Sequence, residues 1–263
     1  MRFRITLRID RNKFGDTMPI NYQYELSALI YKVLAKSDAK YAAWLHDNGY
    51  TYTDARTFKF FCFSQLQFHG FEILQQDERI KVVGDLVDWY VSFIPEKGTE
   101  TFVKGLFGNN TIIIGDAKSK VAFKIINVEG QYPIRYYDKM TFETMSPVCM
   151  KRMLSDGKTE YISPKENDYR DLVYQNLISK YTTFYGKEYF SEYEDFEFEP
   201  DLSRVKSSLI TIKADTPQQT KVKGFKFRFT VKGDPKLMKF IYEGGLGMSN
   251  SIGFGFVKEI ANL

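Results

Sequence analysis

Two cysteines and two histidines in 263 residues leave little from which to build a metal centre. A zinc site would need carboxylates to complete it. Cys62 and Cys149 stand far apart with no C-x-x-C pair, so they read as reduced, buried thiols of a cytoplasmic protein. No run of about 18 apolar residues occurs, which excludes a helical membrane span. The opening MRFRITLRI alternates charged with apolar residues and reads as a strand, not as the apolar core of a signal peptide. Charge of one sign is also scarce overall, with a net value of only +4. Its distribution says more. Residues 188–201 hold seven carboxylates and no Lys or Arg, whereas residues 202–263 hold eleven Lys/Arg against four Asp/Glu. A basic region beside an acidic stretch fits a polyanion on one surface, and it fits equally two solvated faces of opposite sign.

What is abundant is apolar and aromatic: 43% hydrophobic residues, with 23 Phe and 18 Tyr, enough for a sizeable core. The first half reads strand, helix, strand, strand, helix, strand. Met1–Ile9 alternates. Tyr22–His46 is helical, with Leu26, Leu29, Ile30, Val33 and Leu34 on one face. Phe58–Leu66 and Leu86–Ile94 are strands flanking a hairpin near His69–Val83. Glu96–Phe107 is a helix that groups Phe102, Val103, Leu106 and Phe107, and Lys120–Val128 is a strand. The second half repeats that order: strand Met140–Met150, a helix to about Tyr181 started by the capping box Ser163-Pro164-Lys165-Glu166, strands Ser207–Ala214 and Val222–Val231, a helix from Asp234-Pro235 to Gly244, and strand Ile252–Ile260. Two β-α-β-β-α-β runs predict an α+β chain of tandem ferredoxin-like domains, 1–128 and 139–263, joined within Asn127–Asp138.

Several residues could carry chemistry. The tail Gly244-Gly245-Leu246-Gly247-Met248-Ser249-Asn250-Ser251-Ile252-Gly253-Phe254-Gly255 is rich in glycine. Such a segment allows backbone N–H groups to approach an anion, and it also serves as a structural loop. It follows a helix and feeds a strand, the reverse of a dinucleotide-binding loop. In Phe225–Val231 the phenylalanines alternate with Lys226, Arg228 and Thr230, so one face offers cations to phosphates. His46 ends a helix, where the negative end of the dipole favours an imidazolium. Histidine can give and take protons near neutrality. His69, beside Gly70, reads as a surface turn residue. A straight helix would hold Tyr31 about 22 Å from His46. They can meet only if the helix folds back, and Ser37-Asp38 supplies a break with a new N-cap.

These pieces together resemble the CRISPR-associated endoribonucleases that process repeat precursors, within the repeat-associated RAMP superfamily. MRFRI, Leu29-Ile30-Tyr31, Leu45-His46, Lys59-Phe60-Phe61-Cys62-Phe63-Ser64 and the glycine tail occur in that family's order, while 129–200 shows no motif. The resemblance implies cleavage within each repeat, no metal or other cofactor, and an active site of Tyr31, His46 and Lys59. Lys59 is placed by the aromatic strand after it, with Arg56 in reserve. The implied chemistry is attack of a ribose 2′-OH on the adjacent phosphorus, leaving a 2′,3′-cyclic phosphate and a 5′-OH. In it His46 serves as acid, Tyr31 orients or deprotonates the 2′-OH, and Lys59 stabilises phosphoryl charge. RNA contacts are expected from Lys226, Arg228, Gly244, Gly245, Gly247, Ser249, Asn250, Gly253 and Gly255. The expected partner is CRISPR repeat RNA, precursor and processed, with an effector complex and a second copy of the chain as further candidates and no membrane. Two other readings remain open: a non-cleaving RAMP subunit that holds processed RNA, and a tandem RNA-binding module with no CRISPR role.

Overall fold

In β1 (Arg2–Ile9), Phe3, Ile5, Leu7 and Ile9 point into a core, while Arg4, Thr6 and Arg8 take the other face. This alternation makes β1 the centre of a sheet in the computed structural model, which describes all residues except 53–55, 109–110, 192, 194, 215 and 261–263. The last three residues of the expected C-terminal domain therefore lie outside the described residues. From β1 the chain enters helices α1 (Gln23–Ser37) and α2 (Ala39–Asp47), then β2 (Phe61–Phe63), β3 (Leu86–Phe93), α3 (Glu96–Phe107), β4 (Thr111–Gly115) and β5 (Lys120–Gly130). The strands are antiparallel in the order β4-β5-β1-β3-β2. With β4 set aside as a hairpin extension, this is the ferredoxin-like order: last, first, third, second. Leu26, Ile30, Val33, Leu34 and Phe102 pack over the sheet against Trp89, Val91 and Phe123. Gly105 lets α3 approach α1: a Cβ there would stand 2.0 Å from the Val33 carbonyl oxygen. Phe107, expected beside Phe102, is 81% exposed. It lies about 140° around the helix from Phe102, clear of the buried stripe that Phe102 and Leu106 form.

The second half has the same order. β6 (Lys139–Thr144), β7 (Glu197–Pro200), β10 (Arg228–Lys232) and β11 (Val257–Ile260) form the sheet β7-β10-β6-β11, with helices α4 (Tyr169–Tyr185) and α5 (Pro235–Gly244). The chain is thus a tandem of ferredoxin-like folds. Three expectations are corrected. The segment expected as the second sheet strand and the first half of the one expected as the third instead form a separate hairpin, β8 (Lys206–Ile212) with β9 (Thr220–Lys226), while the rest of the expected third strand joins the sheet as β10. The true second strand is β7, inside the acidic run. It is held by Phe198 stacked on Phe229 and by a 2.7 Å ion pair of Glu197 with Lys232. The acidic run therefore adjoins the basic strand and neutralises part of it. Finally, Ser163–Glu166 does not cap α4. The Ser163 hydroxyl accepts from Lys165 N–H and its carbonyl from Glu166 N–H, closing a turn, and α4 starts five residues later than the capping box predicts. Helix α5 begins as expected, with Asp234 accepting from Lys236 N–H and Pro235 in the first turn.

Among the described residues, no helix is long and apolar enough to cross a membrane. Cys62 and Cys149 are buried free thiols. His69 is a turn residue with a partner: its Nε2 lies 3.0 Å from Asp88 Oδ2, which also takes Arg4.

Candidate active site between the two halves

The helix does fold back at Ser37-Asp38. Helix α1 stops at Ser37, and the Asp38 carboxylate accepts from Tyr41 N–H at 2.9 Å as the N-cap of α2. Lys97 reaches the same carboxylate at 2.7 Å. The reversal brings Tyr31 and His46 edge to face, with ring centroids 5.0 Å apart. Tyr31 is half-buried, and its ring also meets Phe61 at 5.5 Å. Burial, and secondarily the Asp47 carboxylate, push the Tyr31 phenol well above its ordinary pKa. It is an O–H donor at neutral pH.

His46 is exposed, and its Nδ1 lies 2.7 Å from Asp47 Oδ1. That contact orients the imidazole, and among the described residues none engages Nε2. Lys59 comes to the end of the same helix, its Nζ donating to the His46 carbonyl at 2.8 Å. Partial burial lowers the Lys59 pKa, opposed by Asp47. Two backbone features seat this lysine. Gly49, at φ +72°, leaves room for it: a Cβ there would stand 2.8 Å from Lys59 Cδ. Phe60 occupies the left-handed region at φ 52°, which is uncommon for a bulky residue. The twist sends Phe60 into the C-terminal core against Phe184 and Phe240, while Phe61 enters the N-terminal core beneath Tyr31. Arg56 stands apart from the Tyr–His pair, exposed, with Nη1 3.4 Å from Ser179 Oγ.

The glycine tail runs along the seam between the halves. Gly244, Gly245, Gly247, Gly253 and Gly255 are buried, and packing explains them. A Cβ on Gly253 would stand 2.8 Å from Phe63, and one on Gly255 2.0 Å from the Leu246 carbonyl. The positive φ that ends α5 falls on Gly245. Asn250 ties the loop by donating to the Leu246 and Phe254 carbonyls. Met248, Ser249, Asn250 and Ser251 keep partial exposure and line a cavity of about 500 Å³ that Lys59 also lines.

Lys226 and Arg228 share the face opposite the buried Phe225, Phe227 and Phe229, as the alternation predicts. Their surroundings differ. Arg228 Nε donates to Glu143 Oε1 at 3.0 Å, and Lys258 holds the other oxygen of Glu143. Lys226 lies across the hairpin from Lys206, and its pKa is lowered, first by burial and then by that second cation. Two like charges opposed across a ladder are unfavourable unless an anion joins them.

Sequence reading missed four contributors: Asp47, Gly49, Asn176 and Lys180. The adjacency of Asp47 to His46 was a usable signal. The others are visible only through tertiary packing. Lys180, 1% exposed on α4, donates to the Gly245 carbonyl and, at 2.8 Å, to Asn250 Oδ1. Burial lowers its pKa to about 7.

Residues 17–128 match the family described as CRISPR-associated protein Cas6, N-terminal, and residues 131–259 match CRISPR associated protein Cas6, C-terminal. The CRISPR-associated endoribonuclease Cas6 1 of Methanocaldococcus jannaschii is 29% identical, over 98% of this chain and 92% of its own length. The CRISPR-associated endoribonuclease Cas6 of Pyrococcus furiosus is 26% identical, over 100% and 91%. A solved structure described as a RAMP protein binding different RNA substrates superposes with a TM-score of 0.82 at 20% identity, covering 99% of this chain and 100% of that one. The last likeness establishes the fold, and the two successive family matches establish more: the chain belongs to the Cas6 family of CRISPR-associated proteins.

Proposed function

We propose that this protein is an endoribonuclease that binds CRISPR repeat RNA and cleaves precursor transcripts within repeats, with Tyr31, His46 and Lys59 as its active site. The observation that carries the reading is the fold-back, which sets Tyr31 and His46 in ring contact at 5.0 Å with the Lys59 ammonium at the end of the same helix. The names of the relatives support the reaction class.

The residues divide the chemistry by type. Attack of a 2′-OH on the adjacent phosphorus breaks the P–O5′ bond, and the 2′-proton and the 5′-oxygen must each be served. His46 protonates the leaving 5′-oxygen through Nε2, its other nitrogen being engaged by Asp47. Tyr31 orients the 2′-OH, whose proton passes to solvent water as the O2′–P bond forms. The raised pKa of its phenol argues against a phenolate base. Lys59 stabilises charge on the phosphoryl oxygens. Lys226, Arg228 and the partly exposed loop edge with Ser249 and Asn250 hold the RNA, while the buried Gly244, Gly245, Gly247, Gly253 and Gly255 shape that loop without touching RNA.

On this reading the side chains supply acid, orientation and charge without a metal. Labelled repeat RNA incubated with the protein in excess EDTA should yield an unchanged rate and a product ending in a 2′,3′-cyclic phosphate. A single 2′-deoxy nucleotide just upstream of the cut should abolish that product. Loss of activity on chelation, restored by magnesium, would contradict the mechanism, as would cleavage of the deoxy substrate at the same bond.

A further inference from the structure

The cavity between the halves is built for more than a backbone contact. One wall is Phe58 with Met248, and the mouth carries Lys59 and Lys151. Its floor holds Asn176 and Lys180, one turn apart on α4, 2% and 1% exposed respectively. Among the described residues Asn176 Oδ1 is buried without a hydrogen-bond partner, and such an atom is costly unless something satisfies it. A small turn of the carboxamide presents its donor and acceptor together, the complement of a nucleobase edge. Among the described residues Lys180 meets only neutral oxygens, those of Gly245 and Asn250. Its ammonium form has three N–H groups, so one remains for an acceptor. The volume of about 500 Å³ lies within the range of sites for small ligands.

We infer that this cavity takes one unpaired nucleotide of the bound RNA, base inward, with Asn176 reading the base edge and Phe58 beside the ring. Because Lys59 belongs to both cavity and proposed active site, the inserted nucleotide lies near the scissile phosphate. The inference rests on the RNA-processing reading above, and its test uses binding alone.

A non-cleavable repeat RNA, 2′-deoxy at the cut, is made as a series with one abasic position at a time. Affinities are measured for the protein as it stands, for Asn176→Leu and for Thr159→Trp, which fills the cavity from an exposed rim position. Thr159→Trp keeps the test valid should Asn176→Leu fail to fold. One position should weaken binding by about tenfold when abasic, a difference of roughly 1.4 kcal/mol. The folded variants should bind intact RNA about tenfold more weakly and lose nothing further at that position. Effects that add at every position, or an intact affinity in Thr159→Trp, would overturn the inference. Failure of the protein to prefer repeat RNA over unrelated RNA would instead overturn the broader reading.

Discussion

At Tyr31 the decisive quantity is the protonation state. Burial beside Phe61 and the Asp47 carboxylate raises the phenol pKa above its unfolded value of about 10. The sign follows by linkage: the stability contributed by neutral Tyr31 is fully present below about pH 10 and is lost as pH rises past it. Cleavage should therefore show no rise between about pH 8 and 10 from phenolate formation. Tyr31→Phe should stay folded and slow single-turnover cleavage by about 2- to 10-fold, the worth of one neutral hydrogen bond. A rate that climbs with pH in the parent but not in Tyr31→Phe would make the tyrosine a base instead. Lys59 was legible because an aromatic strand follows it. The reason it lies where it does, the left-handed Phe60 and the gap at Gly49, is a matter of tertiary packing that no local pattern carries.

Among the elements, the α1–α2 reversal matters most, and it rests on a cap. Asp38→Ala removes the bond to Tyr41 N–H and the partly exposed pair with Lys97. It should lower the midpoint of urea denaturation, as loss of an N-cap does. Because the cap sets the approach of His46 to Tyr31, cleavage should fall more than RNA affinity. Equal losses in both would detach the cap from catalysis. This element was readable because Ser37-Asp38 interrupts a strong apolar periodicity with a good capping residue. The acidic strand β7 was not, since four residues with one buried phenylalanine give almost no periodic signal. The hairpin β8–β9 misled for the opposite reason. Its strands alternate well, but alternation does not say which sheet a strand joins. The capping-box motif at Ser163 failed because the same polar groups close an isolated turn equally well.

On the scale of the whole molecule, the halves meet along the glycine tail, so loop, cavity and proposed active site form one surface. The sequence pattern located the loop, but its glycines turned out to be required by contacts such as Gly253 on Phe63, which only the packed pair of domains reveals. Lys226 and Arg228 do not line that cavity and are proposed as a further RNA contact. Replacing Lys226 and Arg228 together by Ala should weaken RNA binding and reduce the slope of log affinity against log salt by about one for each phosphate no longer neutralised. Lys226→Ala alone should carry the larger share, because Arg228 is already engaged by Glu143. An unchanged slope would remove this face from the RNA path.

The central claim, that a fold-back helix end does the chemistry, is tested most directly at His46. Removing a helix-end histidine forfeits about 0.3–1 kcal/mol of dipole interaction, so His46→Ala should remain folded. General acid catalysis by one side chain contributes about 10²- to 10⁴-fold. Single-turnover cleavage of repeat RNA by His46→Ala should slow within that range, while affinity for the RNA changes by less than about tenfold. Cleavage at the parent rate would contradict the account and remove His46 from the reaction.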